Sequence, residues 1–180
     1  HAGRHRDGGA CGQDPRLRVL ATPPRGLTAS LNAAVAAARA PLLARMDADD
    51  IAHPERLALQ AEFLGRHPNT AILGCRVRLA GSVAAGNQGM HDYLAWQNQL
   101  LDHDDLVRDL FVESPLVHPS VMMRAETLRA LGGYRTFDGP EDYDLWLRML
   151  DRSGASFAYL DEPLLRYRMA GGSLSASERF

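Results

Sequence analysis

Apolar residues recur along this chain with two periods, and the switches between them outline most of its elements. The alternating run Leu17-Arg18-Val19-Leu20-Ala21 predicts a strand, which Pro23-Pro24-Arg25-Gly26 ends. Residues 27–39 are mostly Ala and Leu, strong helix formers, and Leu27, Leu31, Ala34, Val35 and Ala38 share one helical face. Pro41 closes that helix, and residues 42–46 predict a second strand apolar enough to be buried. Pro54-Glu55 opens a helix that runs to about Arg66, with Leu57, Ala61 and Leu64 at helical spacing. Residues 71–79 predict a third strand, closed by Gly81, and the Gly-rich residues 81–89 a loop.

The second half is less regular. Residues 93–101 and 105–111 predict helices, the latter capped by Asp104 or Asp105. Residues 116–123 predict extended chain, because His118 precedes a proline. A helix over 125–131 ends at Gly132-Gly133, another spans 141–150 with acids in its first turn, and residues 157–160 and 164–168 predict the last two strands. Strand–helix alternation of this kind implies an α/β fold, a mostly parallel central sheet flanked by helices. A length of 180 residues suits one domain with a real core.

Composition narrows the function by exclusion. The apolar share of 46% and charged share of 23% are ordinary for a globular protein, and a net charge of −2 with no basic stripe argues against a nucleic-acid partner. Cys11 and Cys75 form neither a metal-ligand spacing nor a disulfide framework, so a reducing compartment is expected. No run is apolar enough to span a bilayer, and no signal peptide is present. A cytoplasmic location follows, with the inner membrane face as its variant. The apolar residues of the helices within 93–111 fit a core better than a membrane surface; peripheral membrane association is the competing expectation. Residues 1–13, polar and Gly-rich, predict a disordered tail or the cut edge of a longer protein.

Candidate chemistry concentrates in a few short stretches. Arg45-Met46-Asp47-Ala48-Asp49-Asp50 sets three carboxylates directly after a predicted strand, where α/β proteins usually bind ligands. Such a cluster repels itself unless a cation is present, and hard cations such as Mg²⁺ and Mn²⁺ prefer oxygen ligands shared with substrate phosphates. The same residues also make an ordinary turn and helix start. Glu141-Asp142 opens a helix, where acids favour the helix dipole; the functional alternative is a carboxylate base facing a cleft. His118 in Val117-His118-Pro119-Ser120 is either structural or a tunable imidazole. Arg166 and Arg168 before Gly171-Gly172 are either a phosphate clamp or strand-edge charges.

The order of these stretches carries more than any one of them. Asp-Ala-Asp-Asp after a strand, His-Pro-Ser, Gly-Gly-Tyr, Glu-Asp-Tyr-Asp-Leu-Trp-Leu-Arg and Tyr-Arg before Gly-Gly-Ser closely resemble glycosyltransferase family 2, the inverting enzymes of GT-A fold, over residues 16–175. The resemblance implies a nucleotide-diphosphate sugar donor, an Mn²⁺ or Mg²⁺ cofactor, and a carbohydrate, lipid-linked or protein acceptor. It implies that Asp49 is the direct metal ligand and that Asp47 lies nearer the donor's ribose or the metal's water shell. Asp142 becomes the catalytic base, Arg45 and Arg168 donor-side residues, and Glu141, Trp146 and His118 acceptor-side residues. Gly26, Leu27 and Asn32 match the donor-side segment, and Gly132, Gly133 and Tyr134 the entry to the cleft. Residues 14–180 would then be a partial GT-A domain, with 14–82 serving donor and metal and 83–180 the acceptor.

Two departures accompany the resemblance. The family's opening strand, with its Pro-x-Tyr-Asn-like turn and a following Asp-Gly-Ser, has no counterpart before Asp14, so the amino-terminal part is expected to be missing or degenerate. Ala170 stands where many members carry a His after Tyr-Arg. The competing expectations are an inactive glycosyltransferase fragment acting as a binding or interaction module, and a metal-dependent nucleotidyltransferase.

Overall fold

Five strands form one sheet in the order β1-β4-β3-β5-β2. They are β1 (Leu42–Ala44), β2 (Ile51–Ala52), β3 (Thr70–Leu79), β4 (Met122–Arg124) and β5 (Ser156–Tyr167). The helices are α1 (Leu27–Ala37), α2 (Arg56–Arg66), α3 (Gln88–Gln97), α4 (His103–Asp109), α5 (Ala125–Ala130) and α6 (Glu141–Ser153). These come from a computed structural model that describes residues 14–80, 88–136, 138–153 and 156–168. The expected tail over 1–13, most of the expected loop over 81–89, and the stretch holding Ala170 and Gly171-Gly172 lie outside the described residues.

The α/β class and the flanking helices match expectation, but the sheet is mixed rather than mostly parallel. β3 and β5 pair in parallel, whereas β4 is antiparallel to both β1 and β3, and β2 is antiparallel to β5. Strands β1, β3 and β5 therefore share a direction against β4 and β2. β1 and β2 are the two edge strands, and residues 45–50 link them across one end of the sheet. β4 starts from a 3₁₀ turn, His118–Ser120, at the carboxyl end of β1, where the Arg45 N–H donates to the Val121 carbonyl at 3.0 Å. That reversal puts the His-Pro-Ser turn and the acidic loop at one end of the sheet.

Local differences have local causes. Residues 17–21 form no strand: no partner lies beside them among the described residues, and Leu17, Val19 and Leu20 are exposed. The two predicted final strands are one, because Asp161 and Glu162 bulge out between Leu160, opposite Cys75, and Pro163, opposite Arg76. Arg76 steadies the bulge through a 2.7 Å ion pair with Asp161. Asp102, not Asp104 or Asp105, caps α4: its carboxylate accepts the Asp105 N–H at 2.9 Å, and the other two acids sit in the first turn.

The core has two sides. Ile72, Met123, Phe157 and Tyr159 pack one sheet face against Leu106, Leu128, Leu145, Trp146 and Met149 from α4, α5 and α6. Leu73 and Met122 pack the other face against Leu64 of α2. The alternation Ile72/Leu73 and Met122/Met123 is the period-2 pattern of a sheet covered on both faces. Cys75 is buried in the middle of β3, and burial pushes its thiol up to about 11.

Helix α2 turns out rotated from its expected register. Leu57 is exposed, and the buried stripe is Arg56, Gln60 and Leu64. Arg56 is 1% exposed and pairs with no carboxylate among the described residues. Its Nη2 donates to the Arg45 carbonyl at 2.8 Å and to the Val121 carbonyl at 3.4 Å, and its Nε to Gln60 Oε1 at 3.1 Å. Gln60 Nε2 in turn donates to the carbonyls of Leu73 and Ser120 at 3.1 and 2.9 Å. Buried strand-end carbonyls must be paired, which is why polar residues occupy a core-facing stripe.

Candidate active site

Two clusters of polar side chains meet at the carboxyl end of β1. The first is the loop that follows this strand. Asp47 is half-buried, Asp49 exposed and Asp50 buried. Arg45, whose side chain is only 10% exposed, forms a close ion pair with Asp47 through Nη1 and Oδ2. Asp50 points inward: its Oδ1 accepts the Arg168 backbone N–H at 2.9 Å, and its Oδ2 is buried without a partner. Burial raises the Asp50 carboxyl, and the charges of Asp47 and Asp49 raise it further, against the opposing pull of the Arg168 N–H and of Arg45. Asp47 and Asp49 offer oxygen donors only, the kind a hard divalent cation takes.

The second cluster is built from the 3₁₀ turn and the start of α6. His118 is 7% exposed, and its Nδ1 lies 3.6 Å from Glu141 Oε1 and 3.9 Å from Asp142 Oδ2. Its Nε2 is 2.9 Å from the Tyr134 hydroxyl. Burial, with the charge of Arg45 adding to it, lowers His118 well below the usual imidazole value. Asp142 is pushed up to about 6, mainly by burial and then by the adjacent Glu141 charge. The Tyr143 N–H, donated to Asp142 Oδ1 at 2.9 Å, opposes the rise, as does Arg45. Arg45 thus touches Asp47 directly and acts electrostatically on His118, Tyr134 and Asp142, linking the two clusters.

The Gly-Gly-Tyr turn that delivers Tyr134 is gripped from two sides. Gly132 and Gly133 have φ of +78° and +74°, values that favour glycine, and a Cβ on Gly133 would collide with Asn32. Asn32 closes a double hydrogen bond on the Tyr134 backbone, donating to its carbonyl at 2.8 Å and accepting its N–H at 2.9 Å. Asn32 therefore serves this turn, although the sequence match placed it on the donor side. Arg148 on α6 donates to the carbonyls of Leu131 and Gly133 at 3.1 and 2.9 Å while its Nε pairs with Asp144 at 2.7 Å. Trp146 is fully buried, and its ring meets the His118 ring edge-on at 5.8 Å.

The eight residues singled out from sequence thus fall into two neighbouring groups, with Arg168 attached to the first by its backbone. Sequence reasoning missed Arg56, Gln60 and the inward role of Asp50. The signal was present for the first two: they sit one and two turns before Leu64 on the same helical line.

The model for Glycosyl transferase family 2 matches residues 5–132, well over half of the chain. The chain belongs to glycosyltransferase family 2. The match takes in the acidic loop and His118 and stops before Glu141 and Asp142. The O-antigen biosynthesis glycosyltransferase WbnJ of Escherichia coli is 28% identical over 165 residues, 91% of this chain and 61% of WbnJ. The amylovoran biosynthesis glycosyltransferase AmsE of Erwinia amylovora is 29% identical over 154 residues, 86% of this chain and 54% of AmsE. An uncharacterized Haemophilus influenzae glycosyltransferase is 28% identical over 160 residues, covering 88% of this chain and 57% of the relative. The chain spans little more than half the length of these three relatives. Among solved structures, S. aureus TarS 1–349 in complex with UDP-GlcNAc superposes with a TM-score of 0.58 at 16% identity, over 83% of this chain and 40% of that one. The family 2 chain therefore has the GT-A architecture. No helix among its described residues is long and apolar enough to cross a membrane.

Proposed function

We propose that this family 2 chain carries the site of an inverting transfer, from a nucleotide-diphosphate sugar to an acceptor hydroxyl, with Asp142 as general base. The observation that carries this reading is the juxtaposition of an oxygen-donor loop and a raised, mostly buried carboxyl, joined by Arg45. Asp49 and Asp47 would hold Mn²⁺ or Mg²⁺. Such a cation, when bound, neutralises charge on the donor diphosphate. Asp142 accepts the proton of the acceptor hydroxyl as its oxygen bonds the anomeric carbon. The bond from that carbon to the diphosphate oxygen breaks on the opposite face, and the nucleoside diphosphate leaves with the electron pair. Attack from the far face inverts the configuration. Arg45 and Arg168 lie on the leaving-group side, where positive charge favours departure. Glu141 and His118 border the base on the acceptor side. The nucleotide-sugar class is supported by the UDP-GlcNAc named for TarS, and a polysaccharide-type acceptor by the names of WbnJ and AmsE.

The test is calorimetric titration with UDP, GDP and dTDP, with and without Mn²⁺, followed by donor turnover. Asp49→Asn is expected to weaken metal-dependent nucleotide binding at least ~10-fold, about 1.4 kcal/mol. Asp142→Asn is expected to leave that binding intact and lower turnover by ~10²–10⁴-fold, the range for a lost acid–base group. Full turnover in Asp142→Asn removes the base assignment. No nucleotide binding by the folded wild-type chain favours the alternative of a binding or interaction module.

A further inference from the structure

His118 Nδ1 faces two carboxylates, Glu141 Oε1 at 3.6 Å and Asp142 Oδ2 at 3.9 Å, both beyond hydrogen-bond reach. The side chain is nine-tenths buried, and the Tyr134 hydroxyl holds its other nitrogen at 2.9 Å. One ligand atom from each of His118, Glu141 and Asp142 lies within 4.8 Å of the others, the one such group among the described residues.

We propose that His118, Glu141 and Asp142 form a second cation site, separate from the Asp47/Asp49 loop, that takes a borderline transition metal of the Zn²⁺ class. Ligands about 2.0–2.2 Å from a zinc-like ion stand roughly 3–3.6 Å apart, so the two spacings from His118 Nδ1, 3.6 and 3.9 Å, need little change, and the whole set, spread within 4.8 Å, closes with a contraction of up to about 1.2 Å. One imidazole and two carboxylates favour Zn²⁺ or Co²⁺, whereas the oxygen-only loop favours Mg²⁺ or Mn²⁺. The Tyr134 hydroxyl on Nε2 orients the ring, as a second partner commonly does for a metal-bound histidine. Asn32 and the Gly-Gly turn fix Tyr134 itself. An ion held there occupies the Asp142 lone pairs, so binding inhibits transfer; this inhibitory half rests on Asp142 being the base, and the binding half does not.

The experiment uses the full chain carrying Asp47→Asn and Asp49→Asn, which removes the loop's donor set. Zn²⁺ is titrated by calorimetry, and Co²⁺ is followed by its visible absorption. One equivalent is expected to bind, with a loss of at least ~10-fold in affinity on adding His118→Ala or, as the milder change, Glu141→Gln. Far-ultraviolet circular dichroism confirms that each variant is folded. Unchanged Zn²⁺ affinity in both variants, or no binding at all, overturns the site. In the wild-type chain supplied with Mn²⁺, Zn²⁺ is expected to suppress donor turnover in step with this occupancy. Zn²⁺ binding without inhibition overturns the inhibitory half and counts against Asp142 as base. Absence of Zn²⁺ binding while Asp142→Asn still abolishes turnover overturns the site alone.

Discussion

At the residue scale, Asp142 and Glu141 divide the labour of one helix start. Asp142 is the more perturbed, held near 6 by burial and by its neighbour's charge. A base must be ionised to accept a proton, so turnover is expected to rise with pH through about 6. Glu141→Gln removes the second-largest cause of the rise and is expected to move that limb to lower pH, which a rate profile from pH 4.5 to 8 reads directly. A limb that stays in place would show that burial alone sets it. Stability runs the other way. The folded state holds the Asp142 proton more tightly than the unfolded chain, so the contribution is complete below 3.8 and is lost as pH rises through about 6. The acids of this motif were legible in the sequence, since Glu-Asp at a helix start followed by Leu-Trp-Leu reads as both cap and candidate site. The raised carboxyl was not, because burial is its main cause, and burial depends on what the fold packs around the helix start.

At the element scale, α2 shows how a helix can be predicted in place and missed in orientation. Its limits agree with the sequence to within a residue or two, as do those of α1, α5 and β3. The apolar period, though, pointed at Leu57, which the structure leaves in solvent. A hydrophobic period assumes that the core wants only apolar atoms, yet here it also needs donors for the carbonyls of Arg45, Ser120 and Val121. Arg56→Ala strands the Arg45 carbonyl and Gln60 Oε1 and leaves the Val121 carbonyl only the Arg45 N–H, and is expected to cost about 2–4 kcal/mol in chemical denaturation. Because the Arg45 carbonyl opens the acidic loop, the same variant, still folded at low temperature, is expected to bind Mn²⁺–nucleotide several-fold more weakly. A loss of stability with unchanged Mn²⁺–nucleotide affinity would limit Arg56 to a packing role. The bulge in β5 was hidden for a related reason: Asp161-Glu162-Pro163 reads as a break until the parallel partner β3 is known to continue past it.

At the scale of the whole molecule, the reversed strand β4 brings together motifs more than sixty residues apart in the chain, the acidic loop and His-Pro-Ser. Strand direction is set by which end of the sheet the preceding turn reaches, which hydrophobic periodicity does not encode; the resemblance supplied what the pattern lacked. The longest pairing in the sheet is the parallel pair β3 and β5, and Cys75 lies at its centre with a thiol pushed up to about 11. A buried, protonated thiol is a poor nucleophile. Cys75 is therefore a built-in clock for the opening of this pair. Alkylation of its peptide, followed by mass spectrometry at neutral pH, is expected to lag the denatured chain by orders of magnitude and to quicken with urea as global stability falls. Labelling of the native protein at the denatured rate would mean that the sheet breathes open without unfolding.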